Sequence, residues 1–137
     1  MCTVVFLPKG DKYFFASLRD ENPLRPKAIV PGIYKEGNAI ILSPRDAMAG
    51  GTWLGVTAAG RGIILLNGGF KKHDRKPDYR KSRGLIVTEL LAADLPVVHW
   101  NLMDMQDVEP YTLVVWDDGN LFQLVWDGER KHCVLLK

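Results

Sequence analysis

Cysteine is nearly absent from this 137-residue chain, which carries only Cys2 and Cys133. Two cysteines make no disulfide framework, although one bridge between them stays open, and neither belongs to a CxxC pair. Histidine is almost as scarce. His73, His99 and His132 are scattered, so no metal site is expected. Long apolar runs are missing as well. Stretches such as Gly62 to Leu66 and Leu113 to Trp116 are far too short to cross a bilayer, and no secretory h-region follows Met1. No membrane span is therefore expected, and a reducing, cytoplasmic setting is the default. An excess of one charge is also lacking: 18 Lys and Arg stand against 16 Asp and Glu, which leaves +2 and no broad footprint for nucleic acid. The local exception is Lys71 to Arg83, with seven basic residues against Asp74 and Asp78. With Tyr79 as its only aromatic, this stretch reads as a solvated loop.

What is present fits an ordinary globule, since 47% of the residues are apolar and 25% charged, enough for one domain with a real core. Thr3 to Leu7 and Lys12 to Ser17 are β-branched and aromatic runs around Pro8-Lys9-Gly10-Asp11, which predicts an N-terminal hairpin. Leu24 to Ile33 reads as irregular or edge-like, with Pro31-Gly32 as a turn. Short strands are expected at Asn38 to Leu42, Trp53 to Thr57 and Ile63 to Leu66, the last two joined through a glycine-bearing turn. Ser82 is placed to cap a helix over Arg83 to Ala93, and a second helical or irregular segment follows from Leu95 to Val108. Tyr111 to Trp116, Leu121 to Trp126 and His132 to Leu136 are linked by short Asp- and Gly-bearing segments, the pattern of an antiparallel meander. Strands at both ends with helix between them give an α+β class.

Cys2 is the residue with the most distinctive chemistry. A small second residue permits removal of the initiator methionine, which would leave a free α-amine beside the thiol. That amine has a reference pKa of roughly 7.7–8.0, so it can serve as general base near neutral pH without a separate histidine. The predicted hairpin would bring Cys2 to Arg19 and Asp20. Asp20 could then accept from the protonated amine, while Arg19 could raise the thiolate fraction or hold a carboxylate. The bland alternative is a translationally favoured second residue beside an ordinary surface ion pair. Gly50, Gly51 and Trp53 are candidate ligand-binding residues: the glycines would let backbone N–H groups approach a ligand, and the indole would wall a pocket. Turn dihedrals and core packing are their ordinary roles. Neither glycine segment is a phosphate loop or a dinucleotide fingerprint.

Met1-Cys2, Ser17-Leu18-Arg19-Asp20-Glu21-Asn22-Pro23 with Arg25-Pro26, and Gly50-Gly51-Thr52-Trp53-Leu54-Gly55-Val56 together resemble the NRDE family, that of the transport and Golgi organisation proteins. Arg45-Asp46, Gly60, Leu66-Asn67, Ser82-Arg83-Gly84-Leu85 and Tyr111-Thr112-Leu113-Val114 extend the resemblance over nearly the whole chain. Leu18 stands where the family's eponymous motif has Asn.

The resemblance implies an N-terminal-nucleophile hydrolase-like layered αββα fold. Members usually continue beyond the strand ending at Lys137, so 1–137 would be an incomplete or shortened fold, or the N-terminal part of a longer domain. It also implies Cys2 as nucleophile, with Arg19 and Asp20 at the positions that flank it in related choloylglycine and penicillin V acylases. Asn67 becomes the candidate further catalytic residue, as an oxyanion donor. The expected function is hydrolysis of a small-molecule, linear, non-peptide amide without a cofactor. The alternative is a non-catalytic protein that binds or traffics a hydrophobic ligand such as haem or a lipid, with Cys2 as axial ligand or inert. An exposed strand edge would favour a homo-oligomer.

Overall fold

The computed structural model describes residues 2–137. The chain is α+β, with nine strands and two short helices among the described residues. Thr3–Lys9 (β1) and Lys12–Leu18 (β2) form a hairpin that makes up a two-stranded sheet of its own. Pairing runs from Thr3 with Leu18 to Lys9 with Lys12, so Pro8 and Lys9 belong to the strand and the turn is only Gly10-Asp11. Gly10 has φ +62°, the left-handed conformation that a two-residue hairpin loop demands.

Ile29–Glu36 (β3), Ala39–Arg45 (β4), Leu54–Thr57 (β5), Gly62–Asn67 (β6), Tyr111–Asp117 (β7), Asn120–Trp126 (β8) and Lys131–Leu135 (β9) form the second sheet. Its strands lie in sequence order, and every neighbouring pair is antiparallel. Pro31 and Gly32 do not make the turn expected of them. They lie inside β3, where the register slips between Ile29 and Gly32. β3 is an edge strand, and an edge tolerates a proline and an irregularity that a central strand would not.

The one long connection joins β6 to β7 and holds Arg83–Ala92 (α1) and Pro96–Leu102 (α2). Ser82 is the N-cap residue of α1, but its side chain makes no capping bond; its carbonyl accepts from the Leu85 N–H at 3.1 Å instead. Pro96 opens α2, where a missing N–H costs nothing. Ile86, Val87, Leu90 and Leu91 of α1 pack with Trp100 of α2 onto Ile41, Ile63, Leu113, Val115 and Leu124. Trp100 donates its indole N–H to the Tyr111 hydroxyl at 2.8 Å, which satisfies both polar atoms in the core.

The alternate residues of β7 and β8 face the other way. Val114, Trp116 and Leu121 receive Val4, Phe6 and Phe15 of the hairpin. The Trp116 ring lies 4.0 Å from that of Tyr13 and 5.3 Å from that of Phe6. Helices therefore cover one face of the large sheet, and the hairpin covers part of the other. Ile33, Leu42, Val56, Gly62 and Trp116 are successive cross-strand neighbours on the hairpin's side. The hairpin buries Trp116 but leaves Ile33 76% exposed, with Leu42 and Val56 also open.

Cys2 and Cys133 are both free thiols. No helix among the described residues is long and apolar enough to cross a membrane.

Candidate active site

The hairpin register places Cys2 and Arg19 one residue beyond the Thr3–Leu18 pair, together at the open end of the ladder. Cys2 is half-buried there. The Asp20 carboxyl, on the same end, is held below the usual carboxylate range. From the hairpin Arg19 reaches to the large sheet, where its guanidinium lies 4.1 Å from the ring centroid of Trp53. It also pairs with Glu21.

Arg19 and Trp53 border a cavity of about 280 Å³. Gly51, Thr52 and Asn67 border it too, as do Arg75 and Lys81 of the segment before α1 and Arg83 at the start of the helix. Asn67 ends β6 and is exposed, as an amide that met a ligand would have to be. Four expected site residues thus converge on one concavity: Arg19, Gly51, Trp53 and Asn67. Cys2, Asp20 and Gly50 are not among the described lining residues. Asp20 adjoins the cavity through its chain neighbours Arg19 and Glu21, and Cys2 through Arg19 across the hairpin.

The two glycines have separate structural duties. Gly50 takes φ +72° in a tight loop closed by the Gly50 N–H to the Asp46 carbonyl at 2.9 Å. Gly51 has no room for a side chain, since a Cβ there would lie 2.3 Å from the carbonyl carbon of Gly84. The Thr52 N–H donates to the Gly84 carbonyl at 3.1 Å. This backbone contact fastens the start of α1 to the strand loop and fixes the floor of the cavity.

Charged pairs dominate the walls. Arg25 holds Asp46 at 2.7 Å. Burial pushes the Asp46 carboxyl up, but the Ala49 N–H, Arg25 and the Met48 N–H together hold it below its ordinary value. On the other side Glu109, with a side chain only 10% exposed, meets Arg83 at 3.1 Å, His73 at 3.2 Å and Arg75 at 3.9 Å. Burial pulls the Arg83 guanidinium down in pKa, and the Glu109 charge opposes it. Neither residue was a candidate from sequence. Arg83 counted with a basic stretch read as solvated, yet it opens α1 and its side chain is only 15% exposed. Arg75, Tyr79 and Lys81 of the same stretch also border the cavity. No spacing rule singles out Glu109, which precedes Pro110 in a loop; only the fold brings it to Arg83.

The family model described as Transport and Golgi organisation 2 matches residues 1–133. That agrees with the resemblance carried by the Arg19-Asp20-Glu21 and Gly50-Gly51-Thr52-Trp53 segments. A search among curated proteins returns no match.

Proposed function

The chain belongs to the Transport and Golgi organisation 2 family, and we propose that it acts as an N-terminal cysteine amidohydrolase on a linear, non-peptide amide. The observation that carries this reading is the hairpin register, which sets Cys2 beside an arginine that itself borders a polar cavity. In the proposed reaction Met1 has been removed, and the α-amine of Cys2 takes the proton of its own thiol. The thiolate adds to the amide carbonyl, and the oxyanion meets the Asn67 amide. Collapse breaks the C–N bond as the ammonium returns its proton to the departing amine. Water then hydrolyses the thioester and regenerates the thiol. Asp20 orients the amine and Arg19 orients the substrate. Trp53 and Gly51 form the wall and floor against which the substrate rests, and Gly50 holds the loop that carries them.

In the same reading the helices, the large sheet and the hairpin are three layers of an N-terminal-nucleophile arrangement, and residues 1–137 work as one domain. The setting is reducing and cytoplasmic, where Cys2 stays a thiol. The alternative of a haem or lipid ligand finds less support at this cavity, because charged side chains make up so much of its wall. A large apolar ligand would strip water from them without replacing it.

The test is the intact mass of the native-start protein before and after a thiol-directed electrophile. Loss of the methionine mass with rapid single labelling at Cys2 is expected. Burial pushes the Cys133 thiol up, so its thiolate fraction is small and it labels slowly. A retained methionine, or Cys133 reacting as fast as Cys2, removes the nucleophile.

A further inference from the structure

Charge is divided unequally over the cavity. Arg19, Glu21, Arg25 and Asp46 form a chain of pairs in which two cations meet two carboxylates. Arg75, Lys81 and Arg83 stand on the other part of the lining, where Glu109 is the one lining carboxylate paired with any of them among the described residues. Lys81 is bound to Glu89, which does not itself line the cavity. Counting Asp78 as well, five cationic and four acidic side chains border the space, and Glu89 behind Lys81 evens the charge. Donors, by contrast, are in surplus. Arg83 gives one N–H to the Pro110 carbonyl at 3.1 Å and meets Glu109 at 3.1 Å, while a guanidinium carries five.

We propose that the Arg75–Lys81–Arg83 end of the cavity binds a carboxylate, and that the substrate is a small amide carrying one such group. This rests on the hydrolase reading above and names its substrate class. A planar carboxylate matches the forked donors of arginine and meets those that Arg83 leaves unused. A volume of about 280 Å³ lies at the small end of ligand pockets, which favours a short acyl or aminoacyl compound over a long-chain one. The scissile carbonyl would then point away from Arg83, toward Arg19 and Asn67.

The experiment is calorimetric titration of the full chain carrying Cys2→Ala, with N-acetylglycine as probe and with acetamide and inorganic phosphate as controls. N-acetylglycine is expected to bind at least about tenfold more tightly than acetamide. Arg75→Gln, at a side chain 67% exposed and safe for folding, should weaken N-acetylglycine severalfold and leave acetamide unchanged. Arg83→Gln should abolish the difference between the two; should that variant not fold, Arg75→Gln and Lys81→Gln carry the test. Equal binding of acetamide, tighter binding of phosphate, or no binding of N-acetylglycine by the folded protein overturns the inference. The two readings also fail separately. Carboxylate binding without turnover by the Cys2 protein would sink the hydrolase and keep the anion site, whereas turnover of neutral amides alone would do the reverse.

Discussion

Arg61 shows how much one side chain can hold in this molecule. It reaches from the turn between β5 and β6 to Asp117 at 2.7 Å and to the carbonyls of Leu91 and Asp94 at 3.1 Å each. These groups close the C-terminal end of α1, where no basic side chain of the helix itself is available. Arg61→Ala leaves Asp117 without its cation and the last carbonyls without their donor. We expect a loss of about 2–4 kcal/mol in urea unfolding, with Arg61→Lys recovering only part of it.

Asp127 is a second single-residue case. The N–H groups of Arg130 and Glu129, then His132, pull its carboxyl from 3.8 to about 2. The folded value lies below the unfolded one, so this contribution is complete above about pH 4 and disappears as pH falls toward 2. NMR titration should give Asp127 a midpoint near 2, and Asp127→Asn should flatten the stability profile over that acid window. Sequence made such residues only partly visible. Asp127-Gly128 was legible as a turn, because an Asp that accepts from the next N–H groups is a local signal. Arg61 and Glu109 act on partners far along the chain, which no local pattern encodes.

At the scale of elements, the hairpin, the terminal meander and α1 were all readable, since each rests on near-neighbour periodicity and turn chemistry. The error at Pro31-Gly32 has a physical origin. That dipeptide has the composition of a turn, and only its position at a sheet edge lets it remain in a strand. The candidate site divides in the same way. Cys2 with Arg19 follows from a hairpin, whereas the wall of Arg83 and Glu109 depends on how α1 docks. That docking turns on Gly51. Gly51→Ala would press a methyl group against the backbone of Gly84, which cannot move as a side chain would. A cost of about 1–3 kcal/mol is expected by thermal unfolding, with loss of whatever ligand affinity the cavity has. Unchanged affinity in this variant would mean that the contact is structural only.

The whole molecule is a sheet with one finished face and one half-finished face. Among the described residues the two sheets share no backbone ladder, so side chains such as Phe6, Phe15 and Trp116 hold the hairpin in place. Phe6→Ala should cost about 3–4 kcal/mol and shift Trp116 fluorescence to the red as water reaches the ring. It should also erase any rate advantage of Cys2 over Cys133 toward electrophiles. On the open half of that face, Ile33 and Leu42 are expected to bind the dye ANS in the native state. Ile33→Lys should lower that signal without unfolding the sheet, because β3 is an edge.

The hairpin's seat has a further consequence, for the chain's manufacture. Phe6 is translated long before Trp116, the ring against which it packs, and elongation at about 5–20 residues per second separates the two by roughly 5–20 s. Throughout that interval the first strands lack the Trp116 ring that completes their seat. An enzyme that acts on the terminus early in that interval therefore meets strands not yet fully docked.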